Sequence, residues 1–479
     1  MKSTYLPFLF LVLVFTMLSV PGVVAWVDTD QPTQDVDGCG TMNTANAVYT
    51  FNQSIISNLT STCFTITVDN ITINFAGFDI LGNNSGTDLT AIDATAHKNI
   101  TINGQGGEIN GFGYDLADGI GILFSNVNGS TVRNLTITNS SVGFMMSSSY
   151  NNFFYNVTIN NNSIDGLFMS TASGNLFYST SLLNNSQYGL VMYVRSNFNG
   201  FYDTTSSYNS NNGILLQNSS SNIFSQTSII NNNKTGLWVD AASNSNEFFD
   251  TTSSYNVGEG IYILDSTDNV FNNTVANNNA IDGIYLSLGT EYDNFDYTTT
   301  NNNSIHGVFI AGGGYSTFDN LTSKYNTFVG INLYDSDWND IDNAIVVSNG
   351  GTGVAFDQGS SNNTLLNLYS YSNTGKEIDS ADWALALDNH LMYFNSYGLI
   401  LWDLIVDIEG RLGFGPGESI IIGNNSAYFN SSSDVSELNY SSAVGLSGLP
   451  TTFVNPQIFK DGIQCTDCVA ITSLNAGNV

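Results

Sequence analysis

The sequence predicts an all-β solenoid, because three sets of residues recur about every 23 or 24 positions along most of the chain. The first set is a glycine followed by apolar residues, namely Gly143, Gly166, Gly189, Gly213, Gly236, Gly260, Gly283, Gly307, Gly330 and Gly353. The second set is a large apolar residue ten to thirteen positions later, namely Phe153, Phe177, Phe201, Phe224, Phe248, Phe271, Phe295, Phe318, Ile341 and Leu365. The third set is an asparagine run before the next glycine, marked by Asn161, Asn184, Asn209, Asn232, Asn256, Asn302, Asn349 and Asn373.

Each repeat carries the pattern of short strands. The apolar residues after the glycine alternate, as Ile214 with Leu216 and Ile261 with Ile263 do, and a period of two indicates a β-strand. Stacked coils pair each strand in parallel with its equivalent about 4.8 Å away, so residues 64–380 allow about 13 coils in a rod of roughly 60 Å. We expect the glycine to serve a turn with positive φ, and the asparagines to take left-handed turns and bond along a stack.

Two early segments resemble a known group of proteins: Asn70-Ile-Thr-Ile with Gly77-Phe-Asp-Ile-Leu-Gly82, and Asn99-Ile-Thr-Ile-Asn-Gly104 with Gly107-Glu-Ile-Asn-Gly111. They are similar to the first coils of carbohydrate-associated right-handed β-helix proteins. The later coils resemble the NosD-like β-helix repeats common in archaeal and bacterial surface proteins. The resemblance covers roughly residues 36–380 and implies a right-handed parallel β-helix. It implies no single function, because lyases, hydrolases, epimerases and adhesins share such coils.

The amino terminus predicts export. Lys2, an apolar run over 6–20 and small residues up to Ala25 are typical of a secretory signal peptide, here 1–25. The alternative is an uncleaved membrane anchor, but the apolar run is shorter than the ~20 residues that a span needs. We therefore expect a secreted or cell-surface protein with no membrane span in the mature chain.

A β-helix needs covered ends, because its terminal strands have open edges. We predict an amino-terminal cap over 26–63. The repeat stops after 380, and strand-like runs separated by Gly and Pro turns predict a small β-sandwich-like domain over 384–479. This region resembles the domain that follows such β-helices in archaeal surface proteins, in which a further strand usually follows the CxxC motif, so a truncated carboxyl terminus is also an expectation.

The four cysteines fit an exported protein. Cys39 and Cys63 bracket the start of the repeat, and we expect a disulfide between them. For the CxxC motif of Cys465 and Cys468 we expect a local disulfide or two free thiols rather than a zinc site. Asn-x-Ser/Thr sequons, at Asn58, Asn134, Asn156, Asn272 and Asn320 among others, predict sugar attachment in a host that glycosylates.

The charge excludes some partners. Nine Lys and Arg against 41 Asp and Glu give a formal net charge of −32, which repels nucleic acid and polyuronate sugars.

A row of aromatic residues is the candidate binding site. The position two after each glycine should face outward, and its occupants are Phe168, Val191, Leu215, Trp238, Tyr262, Tyr285 and Phe309. Trp238, Tyr262, Tyr285 and Phe309 would lie about 5 Å apart as an exposed apolar stripe. Such rings suit sugar faces or a protein partner. Alternatively, they only stabilise the sheet by stacking, or another part of the chain covers them.

Acidic residues provide the candidates for catalysis and metal binding. Glu259 and Asp282 precede the glycine on successive coils, followed by His306 in the same column. A separation of about 5 Å suits a retaining glycosidase, but any small polar residue fits this turn, as Asp165, Asn212 and Thr235 do. A second cluster is a candidate Ca²⁺ site or a solvated loop; it comprises Asp335, Asp337, Asp340 and Asp342.

Three functions follow from these patterns. The first is noncatalytic glycan or partner binding, or surface adhesion, by a secreted or cell-surface protein. The second is polysaccharide degradation by a β-helix glycoside hydrolase or lyase that uses Glu259 and Asp282. The third is a purely structural surface-coat element. We expect no cofactor other than the Ca²⁺ considered above.

Overall fold

The computed structural model describes residues 33–57, 61–83, 90–113, 119–380, 388–403, 405, 407–416, 418–429, 435–452, 457–471, 473–474 and 477. The signal peptide predicted for 1–25 and the sequon at Asn58 lie outside the described residues.

The chain winds into a parallel β-helix whose coils each contribute strands to three faces. Among the described residues the first face has 15 strands, paired in parallel from coil to coil. They are Gly40–Met42, Phe64–Ile66, Thr90–Asp93, Ile120–Ser125, Val142–Ser147, Leu167–Ser170, Leu190–Tyr193, Ile214–Gln217, Leu237–Asp240, Ile261–Ile263, Ile284–Leu286, Val308–Ala311, Ile331–Tyr334, Val354–Asp357 and Ile378–Asp379.

The second and third faces follow in each coil and join in three long strands. The second consists of Val48–Phe51, Thr72–Asn74, Thr101–Asn103, Thr131–Thr138, Phe153–Asn160, Leu176–Leu183, Gly200–Tyr202, Ile223–Ser225, Glu247–Phe249, Val270–Asn272, Asn294–Asp296, Thr317–Asp319, Asp340–Asp342, Thr364–Leu366 and His390–Asn395. The third consists of Ile55–Ile56, Ile80–Leu81, Glu108–Asn110, the second halves of the long strands Thr131–Thr138, Phe153–Asn160 and Leu176–Leu183, then Thr205–Ser207, Ser228–Ile230, Thr252–Ser254, Thr322–Lys324, Ile345–Val347 and Tyr369–Tyr371.

A column of phenylalanine rings fills the interior. The rings of successive coils stack with centroids 4.3–5.1 Å apart; they belong to Phe154, Phe177, Phe201, Phe224, Phe248, Phe271, Phe295 and Phe318. The assignment of Phe153 to this column was wrong by one residue. Phe154 pairs with Phe177 and is buried, whereas Phe153 is exposed. Strand side chains alternate between faces, so a one-residue error reverses the orientation.

Two ladders of buried asparagines run along the turns on either side of the first face. The first is Asn152, Asn175, Asn199, Asn222, Asn246 and Asn269, and the second is Asn162, Asn185, Asn209, Asn232, Asn256, Asn279, Asn303, Asn326, Asn349 and Asn373. In a typical step, the backbone N–H and Nδ2 of Asn232 donate to Oδ1 of Asn256 at 3.0 and 3.1 Å. Asparagines just before the second ladder, such as Asn161 and Asn184, take positive φ, as the sequence predicts.

The repeated glycine has a different role from the expected one. A positive φ is absent from all ten repeated glycines. Instead, a Cβ on Gly236 would lie 2.5 Å from Asn256 Nδ2 and 2.8 Å from the carbonyl oxygen of Gly260. The glycine is required because the asparagine ladder and the next strand approach its Cα closely, and no side chain fits.

The β-helix begins within the segment predicted as the amino-terminal cap. Thr33–Val36 lies in parallel beside Val48–Phe51, and Gly40–Met42 lies in parallel beside Phe64–Ile66. A disulfide joins Cys39 and Cys63. We predicted this disulfide from sequence.

Small antiparallel sheets follow the last coil. His390–Asn395 extends the second face and pairs with Gly398–Trp402, which in turn pairs with Ala443–Leu446. Two hairpins and a 3-10 turn complete the described part of this region: Ile420–Gly423 with Ser426–Phe429, Phe459–Lys460 with Ile463–Gln464, and Ser436–Leu438. The CxxC motif forms a local disulfide. The described residues contain no helix long and apolar enough to cross a bilayer.

Candidate functional site: an aromatic stripe on the first face

The four predicted aromatic residues lie side by side on the first face. Trp238 pairs with Tyr262, Tyr262 with Tyr285, and Tyr285 with Phe309 on successive strands. Their neighbours along each strand point inward and are buried, so these four side chains point outward, and each is half-buried. We call these four residues the aromatic stripe.

Successive rings of the aromatic stripe stack on one another with a lateral offset. Successive ring centroids are 5.6, 4.9 and 5.0 Å apart, with interplanar angles of 27°, 17° and 19°. Stacked rings at these centroid separations are offset rather than face to face. The inner rings, those of Tyr262 and Tyr285, therefore each have a stacked ring on both sides, and part of each side chain of the stripe is exposed to solvent.

The surroundings limit the stripe at both ends. On its amino-terminal side the column continues with Leu215 and Val191, which are buried. On its carboxyl-terminal side Asn332 follows Phe309, and the Tyr334 ring meets the Phe309 ring edge-on with centroids 6.4 Å apart. The buried Leu215 and Val191 separate the aromatic stripe from Phe168, which is also half-buried on this column.

One flank of the stripe holds Glu259 and Asp282, the two carboxylates proposed for catalysis. Glu259 is hydrogen-bonded to the preceding coil, whereas Asp282 is hydrogen-bonded to the following coil. Glu259 Oε2 accepts a hydrogen bond from Thr235 Oγ1 at 2.7 Å, on the preceding coil. Asp282 Oδ1 lies 2.9 Å from both the backbone N and the Nδ1 of His306, on the following coil. The structure places the pair on neighbouring coils as expected, and engages each carboxylate with its own partner.

His306 links this flank to the stripe, because its ring centroid lies 4.9 Å from that of Phe309. The column of Glu259, Asp282 and His306 also holds Asp165, which is buried. Burial raises the pKa of the Asp165 carboxyl to about 6, although a backbone hydrogen bond from Tyr188 lowers this pKa. The repeated polar position before the glycine is therefore mostly shielded from solvent.

The other flank is also acidic. Burial, together with the charge of Asp265, raises the pKa of Asp240, while a backbone hydrogen bond lowers it. Burial raises the pKa of the Tyr262 phenol despite a hydrogen bond with Ser287, and the charges of Glu259 and Asp240 add to the rise. On the four coils of the stripe, the positions directly before each glycine and two after each ring contain no Lys or Arg.

The indole nitrogen of Trp238 is shielded from solvent and has no hydrogen-bond partner among the described residues. In this rotamer it does not offer a donor to a bound molecule. Any recognition by Trp238 therefore depends on the ring surface.

The four aspartates proposed as calcium ligands do not converge. Asp335 and Asp337 lie in a turn, and Asp337 Oδ1 accepts bonds from the backbone N and Oγ of Ser361 at 2.7 and 2.9 Å. Asp340 and Asp342 lie in the next strand, where burial and the charges of Asp340 and Asp319 raise the pKa of Asp342 to about 6. Within the described residues, the group of metal-ligating side chains close enough to share an ion is Cys465, Asp467 and Cys468, whose two sulfurs are joined.

A second row of aromatic residues was missed at the sequence level. Tyr292, Tyr315 and Trp338 occupy the turn between the first and second faces on consecutive coils. Each lies three residues before a core residue of the second face, at Phe295, Phe318 and Ile341. Aligning the turns on that column would have found them.

Comparisons with known proteins agree with the fold. Residues 199–320 match the family model described as a right handed beta helix region. The chain thus contains the right-handed parallel β-helix that the sequence predicts. A search of curated proteins found no match.

Solved structures with similar folds share little sequence with this chain. The periplasmic alginate epimerase AlgG is 14% identical with a TM-score of 0.41, and the match covers 70% of this chain and 77% of that one. The A-module of the Azotobacter vinelandii mannuronan C-5 epimerase AlgE4 is 11% identical with a TM-score of 0.38, covering 70% and 90%. The Dettilon tailspike protein is 11% identical with a TM-score of 0.37, covering 77% and 68%. These similarities concern the fold alone.

Proposed function

We propose that this chain is a secreted or cell-surface β-helix protein that binds an uncharged glycan, without catalysis, along the aromatic stripe. The observation that carries the proposal is the alignment of Trp238, Tyr262, Tyr285 and Phe309 on four consecutive strands with partly exposed rings. Two disulfides support an oxidising compartment.

The geometry suits an extended sugar chain. Ring surfaces pack against the apolar faces of sugars, and they repeat at the spacing of parallel strands, about 4.8 Å. A sugar residue of an extended polysaccharide spans a similar distance, so each ring meets an equivalent part of the ligand. The rings are held in place by stacking on each other, which lowers the entropy lost on binding.

The charge of the surface selects the class of glycan. Asp240 and Asp265 flank the stripe with partly exposed carboxylates, which accept hydrogen bonds from sugar hydroxyls. Glu259 and Asp282 add negative charge on the other flank but are engaged with protein partners. The same carboxylates repel polyuronates and sulfated sugars, particularly with a net charge of −32 over the chain. We therefore favour a neutral polysaccharide over an acidic one.

Electrophoresis in native gels that contain a neutral polysaccharide tests the proposal. Hydroxyethyl cellulose, xyloglucan and galactomannan are suitable probes, with polygalacturonate as the acidic comparison. We expect at least one neutral polymer to retard the protein, and the Trp238→Ala/Tyr262→Ala variant to lose most of that retardation. Tyr255→Ala is the matched control, because Tyr255 is an exposed ring far from the stripe, and it should behave as the wild type.

Stability measurements separate binding from a structural role. Loss of two stacked rings also lowers stability, so circular dichroism and thermal unfolding must show that the variant is folded at the assay temperature. A folded variant with unchanged retardation would contradict binding at the stripe. No retardation by any polymer would favour the structural surface-coat alternative.

The enzymatic alternative has a direct test. If Glu259 and Asp282 cleave a polysaccharide, the protein releases reducing ends or unsaturated products, and Glu259→Gln abolishes the release. The opposite bonding of the two carboxylates, to Thr235 and to His306, favours the noncatalytic function.

A further inference from the structure

Three aromatic rings form a second exposed row at the corner between the first and second faces. We call Tyr292, Tyr315 and Trp338 the corner ladder. Their exposed fractions are 53%, 46% and 50%. The ring centroids are 5.1 Å apart for the two tyrosines and 6.1 Å apart for Tyr315 and Trp338, with interplanar angles of 21° and 0°. Parallel rings 6.1 Å apart are strongly offset, so much of one ring face remains uncovered.

The backbone of the corner ladder is unusual for such large residues. The φ angles are 60°, 56° and 61°, and bulky side chains rarely adopt this left-handed conformation because it brings Cβ close to the backbone. On other coils the same turn holds the polar residues Ser221, Ser245, Asp268 and Asn362, which tolerate it better, and one further aromatic residue, Phe198. Tyrosines also take left-handed φ in another turn, at Tyr208, Tyr255 and Tyr325, but the corner ladder places three aromatic residues on consecutive coils of one turn.

The turns are held rigidly by the coils. The backbone N–H groups of Tyr292, Tyr315 and Trp338 donate to carbonyl oxygens of the next coil at 3.3, 3.2 and 3.1 Å. The backbone positions of the three residues are thus set before any ligand arrives, so binding requires no ordering of the turns.

Polar groups beside the corner ladder indicate the chemistry of the ligand. Glu291, Gly314 and Asp337 form the adjacent column on one side, linked by parallel bridges. Asn294, Thr317 and Asp340 lie on the other side in the register of the second face. These groups accept hydrogen bonds from hydroxyls, and the carboxylates disfavour anions.

We propose that the corner ladder is a second binding platform for an uncharged polysaccharide, separate from the aromatic stripe. Open ring faces bind the apolar faces of sugar residues, and the flanking carboxylates and amide accept bonds from their hydroxyls. The platform lies at a different column of the rod, so its existence does not depend on binding at the stripe.

The full chain with Tyr292→Ser, Tyr315→Ser and Trp338→Ser tests the platform in the same neutral-polysaccharide gels. Serine already occupies this turn on two coils, so we expect the variant to fold, and circular dichroism verifies it. We expect at least a threefold rise in the apparent dissociation constant for the polymer that binds best. Retardation of the wild type should persist in 1 M salt, because ring stacking is not screened.

A matched control distinguishes the corner ladder from exposed aromatic surface in general. Tyr208, Tyr255 and Tyr325 are as exposed and share a left-handed φ, but they alternate with other residues and do not stack on consecutive coils. Their triple serine variant should bind as the wild type does.

Several outcomes overturn the proposal: wild-type affinity in the folded corner variant, an equal loss in the control, or retardation that disappears in high salt. A wild-type dimer that the corner variant abolishes would instead assign the rings to a protein interface. The stripe variant Trp238→Ala/Tyr262→Ala, measured in parallel, reports separately on the function proposed above.

Discussion

Replacing Asp293 with asparagine should remove a pH-dependent loss of stability from the β-helix. Asp293 stands where the first ladder would continue with asparagine, and it is 1% exposed. On the preceding coil, the backbone N–H and Nδ2 of Asn246 donate to Asn269 Oδ1 at 3.0 and 3.1 Å. The backbone N–H of Asn269 donates to Asp293 Oδ1 at 2.7 Å, but Asp293 Oδ2 and Asn269 Nδ2 lack partners among the described residues.

The sign of the effect follows from the pKa. Burial raises the pKa of Asp293 to about 8, the backbone hydrogen bond from Asn269 opposes the rise, and the charge of Asp268 adds to it. The folded protein then keeps this proton up to about pH 8, whereas the unfolded chain loses it near the ordinary value of 3.8. Because the folded state binds more protons between these values, its stability falls as the pH rises through the interval.

The interval from pH 6 to 8 isolates Asp293. Asp165 and Asp342 have the same sign, but burial raises their pKa values only to about 6. Above pH 6 the expected slope from Asp293 alone is at most about 1.4 kcal/mol per pH unit, or about 3 kcal/mol over the interval. The wild type and the variant share all other titrating groups, so the contribution of those groups to the pH dependence of stability cancels when the two proteins are compared.

Urea unfolding at pH 6, 7 and 8, followed by circular dichroism, measures the difference. We expect Asp293→Asn to be more stable than the wild type, with a gap that widens by about 1 to 3 kcal/mol from pH 6 to 8. Asp203→Asn is the matched control, because it makes the same chemical change at an exposed turn and should leave the slope unchanged. Parallel pH profiles for wild type and Asp293→Asn would refute the reasoning.

Two further predictions concern the rod itself. Gly236→Ala should lower the free energy of unfolding by about 1–3 kcal/mol, since the new methyl group overlaps Asn256 Nδ2. Gly40→Ala is the control, because Gly40 has open space around it. Equal denaturation midpoints for the two variants would contradict the packing role of Gly236. Replacing Cys39 and Cys63 together with serine should lower the free energy of unfolding by about 3 kcal/mol, because the unfolded chain is no longer constrained by the disulfide. Urea unfolding measures the change, and a loss of wild-type stability confined to reducing buffer would support the same disulfide. An unchanged urea midpoint in the double variant would contradict its role.

Much of the fold could be predicted because a solenoid repeats local information. The period of 23 or 24 residues, the alternation on the first face and the Cys39–Cys63 disulfide were all readable from the sequence. The same alternation placed Trp238 and Tyr262 outward. The error at Phe153 arose because two adjacent phenylalanines satisfy the apolar pattern equally, and only pairing with Phe177 identifies Phe154 as the core residue.

The reason for the repeated glycine could not be read in the same way. Turn preference suggests a positive φ, but the structure shows a close approach of the Asn256 amide to Gly236. Likewise, Tyr292 and Trp338 contradict the usual preference of left-handed turns for small or polar residues, so a propensity argument would have passed over them.

The period of the coil and most of the inward and outward columns follow from the sequence, because strand alternation and repeat spacing are properties of neighbouring residues along one chain. The tertiary structure alone decided how side chains on different coils pair. It directed Glu259 towards Thr235 and Asp282 towards His306, and it placed Asp293 in a buried amide ladder. Each of these depends on which atom of the next coil lies within hydrogen-bond reach, and on how completely water is excluded there. Neither distance nor burial is encoded in spacing along the chain.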